Sequence, residues 1–265
     1  MAALSSPVQL RITGLSCTLG RNRVLNDLTL PVLQGGQLVA LLGRNGSGKS
    51  TLLRSIAGLV PAHAQTMLLD DQSLSPLAPR IRAEKVRYLP QSLPEFVHLT
   101  VIEAVLVALK ARGPISTAIA MQKVTAVLQD LDIEHLGACF LDELSGGQKQ
   151  MVGLAQALVH EPTVLLLDEP LASLDLNYQH HVMQMLAELA ATRGLLIVIV
   201  LHDLNIALRY ANLALLLHKG ALLASGEPLA VITPPHLAEA FLIQARVERC
   251  SLGHSNVFVD DLIQL

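Results

Sequence analysis

The chain has 265 residues, of which 51% are hydrophobic and only 15% charged, and it carries a formal charge of −3. This length suits one large domain, or a domain with a subdomain, around a substantial core, and the acidic balance argues against nucleic acid as the main partner. A mean hydropathy of +0.47 leaves either a large core or an apolar docking face, but the longest apolar run, "LLIVIVL" at 195–201, is too short for the roughly 20 residues that span a bilayer.

The first residues, "MAALSSPVQLRI", lack a basic start followed by an apolar stretch, so no secretory signal is expected. Cys17, Cys139 and Cys250 have no metal-ligand spacing. Together these features predict a reducing, cytoplasmic setting. Residues 8–42 read as strands and turns, and "LVALLG" at 38–43 reads as a buried strand entering a glycine-rich loop. "KSTLLRSIAG" then predicts a helix stopped by Gly58.

The loop itself, "GRNGSGKST", satisfies the phosphate-loop spacing, with a strand before it and a helix after it. Its glycines, Gly43, Gly46 and Gly48, let backbone N–H groups converge on phosphate oxygens at a helix N-terminus. Asn45, Ser47 and Thr51 complete the cradle. Lys49 is placed to reach β and γ phosphates, and Ser50 to offer a hydroxyl to Mg²⁺, which takes few protein ligands.

From about 92 to 157 the helical period dominates, which predicts a helical subdomain inserted in the sheet. Within it, "LSGGQ" reads as a helix start. Ser145 and Gln148 form an S-x-x-Q capping box, and Met151, Leu154, Ala155 and Leu158 form one apolar face. With Gly146 and Gly147 the cap makes a second anion site. A phosphate held by the first loop is already wrapped on one side, so two half-sites on one chain suggest two copies, each completing the other.

"TVLLLDEP" and "LLIVIVLHD" are apolar runs with polar residues only at their ends, as expected of parallel strands covered on both faces. The alternation of such strands with helices is an α/β pattern. Ligands bind at the C-terminal edge of such sheets, so Asp168 is assigned to the Mg²⁺ shell and Glu169 to the attacking water. His202 follows the second strand to the same edge, beside Asp203 as an N-cap. His180 and His181 read as members of a solvated helix. Gln91 ends the short run "VRYLPQ" and offers a neutral amide to metal or water.

The joint order of phosphate loop, Gln91, "LSGGQ", "LLLDEP", "ASLD" and His202 resembles the nucleotide-binding subunits of ABC (ATP-binding cassette) transporters over nearly the whole chain. The resemblance implies a P-loop core with a mostly parallel sheet, an N-terminal antiparallel β subdomain and an inserted helical subdomain. On this reading residues 1–91 and 158–245 form the core, 92–157 the helical signature subdomain and 246–265 a C-terminal tail.

It further implies ATP and Mg²⁺ as ligands and a head-to-tail homodimer with two ATP molecules, each between the phosphate loop of one copy and the "LSGGQ" of the other. Asp175 would lie at the dimer centre. Gln91 would link the site to the helical subdomain, and the following segment, with Glu95 and Val97, would receive a permease helix. Three departures stand out. Leu19 occupies the place of the adenine-stacking aromatic, predicting weaker adenine selection; Ala172 replaces a serine in "ASLD"; and Met151 replaces a basic residue.

The absence of an appended domain after about 245 disfavours a sugar importer of the maltose type. The stretch "HDLNIALRYANLALLLHKGALLASGEP" followed by "TPPHLAEAF" is similar to ATPases of importers for ferric siderophores, haem and vitamin B12. The expected partners are two integral-membrane permease subunits and, indirectly, an extracytoplasmic binding protein, with the chain peripheral on the cytoplasmic side of the bacterial inner membrane. Another ABC importer class, an exporter, or a soluble ATPase acting on ribosome or DNA remain as alternatives.

Overall fold

The computed structural model describes residues 8–75, 77, 79–91 and 98–263. β1 (Gln9–Thr13), β2 (Leu15–Leu19), β3 (Asn22–Leu28) and the short β4 (Leu33–Gln34) precede β5 (Leu38–Leu42) and α1 (Lys49–Ala57). β6 (Thr66–Leu69), β7 (Gln72–Ser73), α2 (Pro79–Lys85) and β8 (Val86–Leu89) follow, then α3 (Val101–Lys110), α4 (Thr117–Asp130) and α5 (Gly146–Leu158). The chain continues through β9 (Val164–Leu167), α6 (Leu176–Arg193), β10 (Leu196–Val200), α7 (Leu204–Tyr210), β11 (Leu213–His218) and β12 (Ala221–Gly226). α8 (Pro228–Val231), α9 (Pro234–Phe241), β13 (Ile243–Arg249) and β14 (Ser255–Leu262) complete it.

The central sheet has the order β12-β11-β5-β10-β9-β8. Its pairings from β11 through β5, β10 and β9 to β8 are parallel, and β12 is an antiparallel edge. All five residues of β5 and all five of β10 are buried, because side chains of a strand alternate between faces and here both faces are covered. Leu38, Ala40 and Leu42 enter one apolar cluster with Leu165, Leu167, Ile197 and Ile199, shared with the helices of 101–158. Val39 and Leu41 enter the other, with Leu52, Leu53, Leu166 and Val198, which is roofed by the N-terminal strands. The sheet is thus the wall between two cores.

Among the N-terminal strands, β4-β1-β6-β7 form an antiparallel sheet and β2 pairs with β3. α1 begins after Gly48 and ends at Gly58 in the left-handed conformation, as the sequence predicts. α5 starts at Ser145 with both capping-box hydrogen bonds present, and Met151, Leu154, Ala155 and Leu158 are buried. The segment read as a C-terminal tail needs correction. Residues 243–262 form the antiparallel hairpin β13–β14, so a boundary at 245/246 cuts a strand. The hairpin is tied down where Val257 N–H donates to Asn205 Oδ1 at 2.7 Å and Ile263 N–H donates to Leu242 O at 2.9 Å.

No helix among the described residues is long and apolar enough to cross a membrane.

Candidate active site

Parallel strands bring the loop after β5, the ends of β8 and β9, and the residues after β10 to one edge of the sheet. A cavity of about 360 Å³ lies there. Its walls include Asn45, Gly46, Gly48 and Thr51 of the loop, with Lys49, Ser50, Gln91, Glu169 and Val24. Three glycines of the loop, Gly43, Gly46 and Gly48, take the positive φ that favours glycine. Gly43 has φ 142° and Gly48 φ 104°, and a Cβ on Gly43 would stand 2.4 Å from Leu217 O, against backbone that cannot give way.

Lys49 Nζ donates to Gly43 O at 2.7 Å and Arg44 O at 3.1 Å, so the ammonium is folded over the loop. Burial lowers its pKa, opposed by the charges of Glu169 and Asp168. Ser50 Oγ donates to Asp168 Oδ1 at 2.9 Å, joining the loop to the end of β9. The second carboxylate oxygen is also held: Tyr88 Oη donates to Asp168 Oδ2 at 2.8 Å, and Arg54 Nε donates to Tyr88 Oη at 3.1 Å. Burial raises the Tyr88 pKa, and the bond to Tyr88 raises that of Arg54.

Glu169 is the meeting point of three elements. Gln91 Nε2 donates to its Oε2 at 2.8 Å. His202 Nε2 lies 2.7 Å from its Oε1, with the Glu169 side chain only 18% exposed. Its backbone has φ 52°, a conformation that costs a non-glycine residue on the order of 1 kcal/mol or more and clusters at functional sites. Gln91, Glu169 and His202, spread over 111 positions from 91 to 202 in sequence, therefore act on one carboxylate.

This site fits a nucleotide triphosphate with Mg²⁺. Ser47 Oγ is buried in the loop without a hydrogen-bond partner, a donor left for an anion, and Lys49 supplies the matching charge. No cluster of three or more His, Cys, Asp or Glu side chains that could cage a metal occurs among the described residues. One hydroxyl and one carboxylate, Ser50 and Asp168, suit Mg²⁺, which completes its octahedron with phosphates and water.

The structure does not bring "LSGGQ" to this cavity. Ser145 Oγ accepts from Gln148 N and Gln148 Oε1 from Ser145 N, at 3.3 and 2.9 Å. Gly146 and Gly147 abut Ser173 and Leu174 of the "ASLD" loop. Asp175 caps α6, its Oδ1 accepting from Tyr178 N at 2.8 Å.

Leu19 does not line the cavity either. It sits 39% exposed at the end of β2, and Val24 on β3 is the apolar wall instead. Register shifts in the β2–β3 pairing change which side chains face the site. Met151 is fully buried, so its methylthioether fills core rather than vacating a surface contact. His180 is half-buried and its Nδ1 lies 2.9 Å from Tyr210 Oη, a correction to its reading as simply solvated. Glu95 and Val97 lie outside the described residues.

A glycine-rich loop between a parallel strand and a helix, a lysine folded over it and paired carboxylates at the C-terminal end of β9, two strands away in the same sheet, define a P-loop nucleotide-hydrolysing enzyme. The model of the ABC transporter family matches residues 25–172, and the chain belongs to that family. It is accordingly an ATPase that uses ATP with Mg²⁺.

The hemin import ATP-binding protein HmuV of Plesiomonas shigelloides is 36% identical over 252 residues, covering 87% of this chain and 93% of that protein. The sulfate/thiosulfate import ATP-binding protein CysA of Yersinia pseudotuberculosis is 37% identical over 231 residues, covering 86% of this chain and 63% of that one. Among solved structures, a dimeric, post-hydrolysis state of the ATP-binding cassette MJ0796 bound to ADP and Pi is 27% identical with a TM-score of 0.71, covering 83% of this chain and 98% of that one.

Proposed function

We propose that the chain is the ATPase subunit of an ABC importer for a metal chelate of the ferric siderophore, haem or cobalamin type. It works as a head-to-tail homodimer beneath two permease subunits that are fed by an extracytoplasmic binding protein, on the cytoplasmic face of a bacterial inner membrane. Residues 1–91 and the segment from 158 through α9 act as the nucleotide-binding core, followed by the β13–β14 hairpin, and 92–157 as the signature subdomain. The observation that carries the dimer is the separation of the capped serine and glycines of 145–147 from the loop of 43–51, which leaves each phosphate site open on one side. A dimeric relative bound to ADP and Pi supports this reading. The chelate class is supported by the hemin importer relative, matched along almost its whole length.

In this reading Gly43, Asn45, Gly46, Ser47, Gly48 and Thr51 hold the phosphates, and Lys49 balances charge on the β and γ groups. Ser50, Asp168 and Gln91 would hold Mg²⁺, which when bound would supply neutralisation of the charge that develops on the transferred phosphoryl group. Glu169 accepts a proton from the attacking water. The amide of Gln91 and the imidazole of His202 fix its two oxygens so that the carboxylate needs no reorientation during the step. Ser145, Gly146, Gly147 and Gln148 of the second copy close the far side of the γ-phosphate, with Asp175 at the junction. Val24, in place of the Leu19 expected there, gives the base apolar contact without an aromatic face.

The test is affinity purification of the tagged chain from native membranes, followed by reconstitution with whatever copurifies. A multi-helix permease whose ATPase rate rises several-fold on adding a chelate-loaded binding protein is expected. Recovery of ribosomes or DNA without a permease, or stimulation by a sulfate-loaded binding protein instead, would overturn the importer or the chelate assignment respectively.

A further inference from the structure

A second cavity lies apart from the ATP site. It has a volume of about 400 Å³ and lies between α2, β8 and the end of α3. Four of the described residues lining it, Arg80, Arg87, Lys110 and Arg112, are cationic, and none of the described lining residues is acidic. None of these four enters an ion pair among the described residues. Part of their hydrogen-bonding capacity is committed, since Arg80 Nη2 donates to Arg112 O at 2.5 Å and Arg112 Nη2 to Ala83 O at 2.6 Å. These bonds fix the two guanidiniums in place, as C-terminal caps of α3 and α2, without neutralising them.

Arg87 is the informative member. Its Nε is buried without a hydrogen-bond partner. Burial and the charge of Arg112 pull its pKa down to about 10, a direction opposite to that of an arginine with a counterion. Like charges gathered in a partly desolvated cleft are unfavourable by themselves. Such a cluster is the arrangement that forked guanidiniums offer to phosphate oxygens.

We propose that this cavity is a second anion site, separate from the ATP cradle, that binds a small multiply charged phosphate ligand through Arg87, Arg112, Arg80 and Lys110. Its volume admits a ligand of metabolite size. The site is mechanically close to catalysis, because Arg87 and Tyr88 are neighbours on β8 and project to opposite faces. The ligand that engages Arg87 therefore abuts the strand whose other side holds Asp168 through Tyr88.

The probe is inorganic pyrophosphate, titrated calorimetrically into the full chain. Two sites per chain are expected, one lost in Lys49→Ala and the other in Arg87→Leu combined with Lys110→Glu, with affinity falling about tenfold or more for each cation removed. Arg87→Leu alone should melt no lower than the parent without pyrophosphate, and adding it to Lys49→Ala should abolish the pyrophosphate-dependent rise in Tm that remains in Lys49→Ala. Arg80→Glu with Lys110→Glu, both on exposed positions, repeats the test without touching the buried guanidinium. Unchanged two-site binding in both charge-altered chains would overturn the proposal. So would binding of polyglutamate but not pyrophosphate at this face, which would assign it to an acidic protein partner.

Discussion

Asp168 has both oxygens occupied by side chains from other elements, Ser50 on one side and Tyr88 on the other. A carboxylate fixed in this way loses no rotational freedom when it takes up a cation, and the Arg54 contact to Tyr88 orients the phenol in turn. Tyr88→Phe removes one bond to a charged acceptor, worth about 1.5 kcal/mol or somewhat more. The half-saturating Mg²⁺ concentration for hydrolysis should rise roughly tenfold, while Tm changes little and saturating Mg²⁺ restores most of kcat. An unchanged Mg²⁺ dependence would show that Tyr88 is only core. Lys49, Asp168 and Glu169 were legible in the sequence because their chemistry is local, a loop of fixed spacing and a strand end. Tyr88 was not, because its partner lies 80 positions away and "VRYLPQ" reads equally well as an apolar strand with a packed ring. Val24 was missed for a different reason: the bulged register of β2 and β3 breaks the simple alternation by which an inward-facing residue is counted.

The same division holds among the elements. β5, β9, β10 and α5 were readable because burial on both faces, or a cap followed by a clean apolar face, leaves a periodic trace. The β13–β14 hairpin left none: its strands are half-exposed, alternate imperfectly and bulge at Gln244/Ala245. The basic cavity is also invisible to pattern, since Arg80 and Arg112 are brought together by hydrogen bonds between α2 and the turn after α3, with Arg87 on β8 beside them. Its presence has a consequence just after α5. His160 is held down at about 4 from an ordinary 6.5, first by burial and then by the charges of Arg87, Arg112 and Lys123, with a hydrogen bond to the Ala108 backbone opposing them. Between these values the unfolded chain binds a proton that the folded chain refuses. Stability from this group is therefore complete above pH 6.5 and is lost as pH falls toward 4. His160→Gln, which can still donate a hydrogen bond, should flatten the fall of Tm over that window. A slope identical to the parent would show that carboxylate titration alone governs it.

At the scale of the whole molecule, the proposed dimer rests on two half-sites that one copy holds apart. The cavity edge carries Lys49, Gln91, Glu169 and His202, while Ser145 and its glycines stand against the "ASLD" loop. The proposed head-to-tail pair would bring the two halves together twice. Consider two variants in a Glu169→Gln background, in which loss of the water-accepting carboxylate should slow turnover at least 100-fold and so preserve an ATP-bound pair. Lys49→Ala breaks the phosphate loop, and Ser145→Arg breaks the signature. In a homodimer of either variant, both composite sites contain one broken half, so neither should dimerise with ATP. In the mixed pair, one site combines both broken halves and the other combines two intact ones. Size-exclusion chromatography with ATP should therefore show each variant as a monomer alone and a dimer on mixing, with one ATP retained for every two chains. Mixed chains that stay monomeric, beside a Glu169→Gln parent that dimerises, would rule out the exchange of halves. Dimers in either variant alone would place the interface on some other face.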